Sequence, residues 1–176
     1  MGLSAPDLNH KLRLAVLQRM TQSPSDPMRG ALSGWAQEIP SSLPEIDLQK
    51  ALVVGKSTVN RIVVSKIVER SGLKPAAETP EAAMDTLRRI VPGAVILDGG
   101  ASNADCEALM AQLGVLRRLT GGGAPCVILL STSMDVARTA MRCTTIDAVV
   151  AKPITPEQLQ PVVERLLEDA RGRRKS

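Results

Sequence analysis

The chain has 176 residues, a formal net charge of +4, a single Trp and neither Tyr nor Phe. Its length suits one domain with an extension, and that domain's core has to be aliphatic. With Trp35 as the only ring, stacking of single-stranded bases is excluded, as is a tyrosine acid or base. The excess charge resides in Arg171, Arg173, Arg174 and Lys175, a basic tail over 172–176 and its approach, so no folded basic face for nucleic acid is expected.

Residues 1–48 read as a helical extension and a Pro/Ser-rich linker. Asp7 is placed to cap a helix whose apolar positions Leu8, Leu12, Ala15, Val16 and Met20 recur at helical spacing. This stripe predicts packing on the main domain or on a second copy, that is, a homodimer. Pro24, Pro27, Pro40 and Pro44 then mark irregular chain, with a shorter helix around Leu32, Trp35, Ala36 and Ile39. His10 in Asn9-His10 is similar to the phosphorylated segment of some sensor kinases, but the match is short and not specific, and a polar-face His on an amphipathic helix is the expected reading.

A regular alternation occupies 49–171. Ala51–Val54 predicts a first strand, and Ser57 or Thr58 caps a helix with a buried stripe of Val59, Ile62, Val63, Ile67 and Val68. Residues 74–78 predict a second strand. Thr79-Pro80 then starts a helix lined by Ala83, Leu87 and Ile90. Ala94–Leu97 predicts a third strand, ending on Asp98, followed by a helix over about 104–119 that stops at Gly121-Gly122-Gly123. Cys126–Leu130 predicts a fourth strand ending on Ser131, then a helix over 134–142. Ala148–Ala151 predicts a fifth strand ending on Lys152-Pro153. Thr155-Pro156-Glu157-Gln158 has the form of a capping box, and Leu159, Val162, Val163, Leu166 and Leu167 line its helix.

Continuous apolar runs suit strands covered on both faces, so these units predict an α/β, (βα)5 flavodoxin-like fold with helices on both sides of a parallel sheet. Three widely spaced cysteines, Cys106, Cys126 and Cys143, predict reduced, packed thiols, and one His argues against a Cys/His metal site. No apolar run approaches the roughly 18 residues of a membrane helix, and no signal-peptide layout opens the chain. A cytoplasmic protein without a membrane association is expected.

Ligands of such sheets sit beyond the strands' carboxyl ends. Those ends carry Gly55-Lys56, Asp98, Ser131 and Lys152. A carboxylate there can attack a phosphoryl group, and a hydroxyl and an ammonium can hold its oxygens. Leu52-Val53-Val54, Val95-Ile96-Leu97-Asp98, Ile128-Leu129-Leu130-Ser131 and Lys152-Pro153 together resemble the receiver domain of two-component response regulators. The resemblance implies a strand order of 2-1-3-4-5, a cis bond before Pro153 and phospho-acceptance at Asp98 assisted by Ser131 and Lys152. It also implies docking through the first helix and the last strand–helix edge, including Asn60, Val63, Val64 and Pro153. Implied partners are a histidine kinase, a phosphotransfer protein or another regulator.

The departures from that pattern are in the pocket. The acidic pair that holds Mg²⁺ in receivers is Gly55-Lys56 here, and Met-Pro after the nucleophile is Ala101-Ser102. The aromatic switch position is Val149. Mg²⁺ needs several oxygen ligands, so weak or absent metal binding is expected, with no other cofactor. Lys56 is expected to take the metal's place and pair with Asp98. The chain is then a pseudo-receiver in phosphorelay signal transduction rather than an enzyme, its Mg-dependent phosphorylation weakened or lost. The alternative is a phosphorylation-competent single-domain receiver. Val54-Gly55-Lys56-Ser57 lacks the first Gly of a P-loop, so nucleotide hydrolysis is not expected.

Overall fold

The computed structural model describes residues 44–100, 104–121, 123–133 and 144–173. The chain divides at Pro44/Glu45, and nearly all described residues lie in the second unit. The expected extension helix, Trp35, His10, Ala101-Ser102, Cys143 and the helix over 134–142 fall outside the described residues.

The elements in order are β1 Glu45–Gly55, α1 Thr58–Arg70, β2 Lys74–Glu78, α2 Pro80–Arg89, β3 Ile90–Asp98, α3 Glu107–Leu119, β4 Cys126–Ser131, β5 Ala148–Ala151 and α4 Pro156–Arg173. A short 3-10 turn, Ala104–Cys106, leads into α3. The strands form one sheet of order β2-β1-β3-β4-β5 with every pairing parallel, the expected topology.

β1 starts earlier than the apolar run at Ala51 and earlier than the expected domain start at 49. Its polar first part pairs with Ile90–Pro92 of β3, and the register shifts between Asp47 and Ala51. There Asp47 Oδ1 accepts from Gln49 N at 3.0 Å, a local bond that competes with the ladder. Gly93 faces this irregularity. A Cβ at that position would lie 2.5 Å from Leu48 O, so no side chain fits against the backbone there.

Side chains alternate across the strands, which splits the core into two layers. Ala51, Val53, Ala94, Ile96, Ile128, Leu130 and Val150 pack with Val64, Ile67 and Val68 of α1 and with Leu159, Val163, Leu166 and Leu167 of α4. Their sequence neighbours Leu52, Val54, Val95, Leu97 and Leu129 are as fully buried and point the other way, toward the side that carries α2 and α3. Each such side chain contributes about 1.5–3 kcal/mol by leaving water.

The helix starts follow the caps read from the sequence. Ser57 Oγ accepts from Asn60 N at 3.3 Å, and Thr79 Oγ1 accepts from Ala82 N at 3.4 Å with Pro80 at the first helical position. Gly72 and Gly121 adopt φ of +79° and +75° just past α1 and α3, where a glycine costs least. The peptide bond before Pro153 is cis, and so is the one between Ala124 and Pro125.

The inward face of α1 differs from expectation. Val64, Ile67 and Val68 are buried, whereas Val59, Ile62 and Val63 are 69%, 57% and 44% exposed. One turn before the buried residues 64, 67 and 68 stands Asn60, an exposed residue whose amide reaches the buried Asp98. Ile90 ends α2 and opens β3 instead of lining the helix. α4 runs to Arg173, which carries the helix into the expected tail.

A part-buried ion pair fixes the far end of the sheet. Arg117 grips both oxygens of Asp147 at 2.9 Å, and Asp147 Oδ2 also accepts Val127 N at 2.7 Å. Arg117 donates a further bond to Thr145 O at 2.8 Å. α3, β4 and the approach to β5 are thereby tied together, away from the Asp98 end. Among the described residues, no helix is long and apolar enough to cross a membrane.

Candidate functional site

The parallel register brings the predicted strand ends to one edge. Gly55 pairs with Asp98 across β1 and β3, and Ser131 pairs with Ala151, the residue before Lys152. Lys152 N donates to Ser131 O at 2.9 Å, which fixes the start of the Lys152-Pro153 turn. From there the Lys152 side chain reaches back over the sheet edge to Asp98.

Asp98 is only 7% exposed, and both of its oxygens are engaged. The Lys152 ammonium donates to Oδ1. Asn60 Nδ2 donates to Oδ2 at 2.7 Å, and Gly100 N approaches Oδ1 at 3.4 Å. Burial alone would raise the Asp98 pKa. The hydrogen bonds from Lys152 and Asn60, with the Lys152 charge, outweigh it and hold the carboxyl below its ordinary value. Asp98 is therefore a charged, well-satisfied group at neutral pH.

Lys56 does not reach Asp98, which corrects the expected pairing. Its ammonium lies 2.6 Å from Asp105 Oδ1, just ahead of α3, and the Lys56 side chain is 62% exposed. The Asp105 hydrogen bond and charge raise the Lys56 pKa, so the ammonium is retained. Lys152, not Lys56, neutralises Asp98.

Arg61 completes the arrangement. Its guanidinium donates to Gly55 O, to Lys56 O at 3.2 Å and to Thr58 Oγ1 at 3.2 Å. The carbonyls of the β1–α1 turn thus face an internal cation. Gly55 itself is close-packed: a Cβ there would lie 3.0 Å from Asp98 Cβ and 3.1 Å from Asp98 O.

Ser131 is buried, and its hydroxyl is turned onto its own loop. Oγ donates to Ser133 O at 3.0 Å and accepts from Ser133 N at 3.2 Å. Val149 is half-buried on β5. Val64, expected at a docking surface, is 2% exposed and belongs to the core, whereas Asn60 and Val63 are at the surface. Cys106 is wholly buried, and desolvation, reinforced by Asp105 and Asp98, pushes its thiol up to about 11. It stays protonated and unreactive at neutral pH. Asn60 as a ligand of Asp98, Arg61 as a turn clamp and Asp105 as the partner of Lys56 were not assigned from the sequence. The signal for Asn60 was its spacing of four from Val64 on the helix.

The fold can be compared directly with solved structures. Over 72% of this chain and 99% of the other, it superposes on a CheY-like response regulator receiver domain from Methanospirillum hungatei with a TM-score of 0.58 at 18% identity. The fold is that of a response-regulator receiver domain. A signal receiver domain of a putative LuxO repressor protein from Vibrio parahaemolyticus gives a TM-score of 0.54 at 22% identity, covering 73% of this chain and 96% of that one. NtrX from Brucella abortus gives 0.60 at 21% identity, covering 73% of this chain but 29% of NtrX. No protein-family profile matches the chain, and no curated protein does.

The receiver resemblance implies Mg²⁺ beside Asp98, and the residues present do not fit it. Mg²⁺ requires near-octahedral oxygen ligation. Gly55 and Lys56 offer no carboxylate, their carbonyls accept from Arg61, and Asp105 is committed to Lys56. Among the described residues, no group of three or more His, Cys, Asp or Glu is placed to hold a metal ion.

Proposed function

We propose that this chain is an atypical receiver that acts in two-component or phosphorelay signalling by protein–protein binding, with Mg-dependent phosphorylation of Asp98 weakened or lost. The observation that carries this reading is the β1–α1 turn beside Asp98, which offers Gly55 and Lys56 in place of carboxylates and whose carbonyls accept from Arg61. Phosphoryl transfer to a carboxylate needs positive charge placed against the phosphoryl oxygens. This turn has no carboxylate to hold a divalent cation there.

Binding has a surface available. Val59, Ile62 and Val63 present an exposed apolar strip on α1, with Asn60 and Arg61 beside it. A histidine kinase, a phosphotransfer protein or another regulator docking there would cover this strip; Pro153, exposed after β5, is the other docking position that the resemblance implies. Homodimerisation through residues 8–20 is a separate possibility within this reading.

The alternative, a phosphorylation-competent receiver, draws on the preserved Asp98, Ser131 and Lys152 edge. Incubation of the full chain with acetyl phosphate and Mg²⁺, followed by intact-mass measurement, separates the two. The expected result is no phosphoryl adduct. A stoichiometric adduct that disappears in Asp98→Asn would establish the alternative.

A further inference from the structure

Deleting the acidic pair is the simplest account of a lost metal site, and restoring the carboxylates would then restore metal binding. The geometry around Asp98 argues for more than that deletion. Three features occupy the space and the lone pairs that a cation would use.

The first is Asn60, whose amide holds Asp98 Oδ2 at 2.7 Å. This is the oxygen that Lys152 leaves open. The second is Arg61, whose guanidinium binds the carbonyls of Gly55 and Lys56 and so covers the turn's own oxygen donors with positive charge. The third is the close approach of β1 to β3. Any side chain at 55 brings Cβ within 3.0 Å of Asp98 Cβ and 3.1 Å of Asp98 O. A carboxylate at 55 therefore crowds Asp98, which has to give by a few tenths of an ångström to admit it.

We infer that Asn60 and Arg61 form an internal plug that replaces the divalent cation, so that restoring carboxylates at the β1–α1 turn does not by itself recreate a metal site. The inference rests on the pseudo-receiver reading and deepens it: cation exclusion is built into α1 and the β1–α1 turn, not only into the missing acids. Asn60 supplies a hydrogen-bond donor where a metal would supply a Lewis acid. Arg61 supplies a fixed positive charge against the carbonyl oxygens of the turn. Lys56, drawn off onto Asp105, is then dispensable for the plug.

The test is Mg²⁺ titration of the full chain by isothermal calorimetry, with the fold of each variant verified by urea unfolding. Because Gly55→Asp risks failing to fold against Asp98, the decisive pair keeps Gly55. Lys56→Asp places a new carboxylate in the turn and frees Asp105, and is expected to show no saturable heat. Lys56→Asp with Asn60→Ala and Arg61→Ala is expected to bind Mg²⁺ with a saturable isotherm. Equal binding by Lys56→Asp alone would overturn the plug while leaving the pseudo-receiver reading intact. No binding by the triple variant would also overturn it, since Asn60 and Arg61 would then not be what excludes the ion. Saturable binding by the wild-type chain would instead remove the reading on which the inference stands.

Discussion

Replacing Lys152 by Met is expected to destabilise the domain by about 3–5 kcal/mol at neutral pH, the cost of stranding one member of a buried ion pair. Asp98 is 7% exposed, and without the ammonium it keeps only Asn60 and the long Gly100 bond. The loss should depend on pH. In the wild type, the folded Asp98 pKa lies below its unfolded value, so the pair's contribution is fully present above the unfolded value and is lost as pH falls through the folded one. In Lys152→Met, burial dominates and the carboxyl protonates more readily in the folded state. The difference between the two proteins should therefore be large at about pH 7 and shrink toward about pH 4 and below. Urea unfolding at both pH values measures it. Adding Asp98→Asn to Lys152→Met should recover most of the loss, because the stranded charge is then gone.

Ile96→Ala is expected to cost about 2–5 kcal/mol with no such pH dependence. Ile96 is fully buried on β3, which lies between β1 and β4 at the centre of the sheet. Its side chain faces the layer filled by α1 and α4, so truncation opens a cavity in the larger core cluster. A central strand has little room to collapse onto the void. Equal destabilisation at neutral and mildly acidic pH, by the same urea measurement, distinguishes this packing loss from the electrostatic one.

The strands at 94–97, 126–130 and 148–151 were legible because each is a short apolar run closed by a polar residue. The edge formed by Asp98, Ser131 and Lys152 followed from where those runs stop. The first half of β1 was not legible, because Glu45–Lys50 is mostly polar and its pairing with Ile90–Pro92 is a long-range fact. The face of α1 was misjudged for a related reason. Val59, Ile62 and Val63 make the more apolar stripe, yet the buried residues are Val64, Ile67 and Val68, and one turn before them the exposed Asn60 turns its amide to Asp98. Lys56 was misplaced because a long side chain on a turn pairs with whichever carboxylate the fold brings near. That carboxylate is Asp105, 49 residues away in sequence, and nothing local to Lys56 points to it.

These particulars bear on function in the same direction. The residues that sequence pattern could identify are those a phosphoryl acceptor shares. Asn60 meets Asp98 across 38 residues of sequence, whereas Arg61 binds only the neighbouring turn at Gly55, Lys56 and Thr58. The receiver fold is kept, and within it Asp98 is an anion satisfied by the chain's own donors, Lys152 and Asn60.

The measurement closest to that claim is the carboxyl titration of Asp98 by ¹³C NMR in the full-length chain, with Lys152→Met and Asn60→Ala as controls. The account predicts a wild-type midpoint below the ordinary aspartate value of about 3.9, rising in both variants as a donor is removed. A wild-type midpoint at or above that value, or an Asn60→Ala midpoint unchanged from wild type, would contradict it.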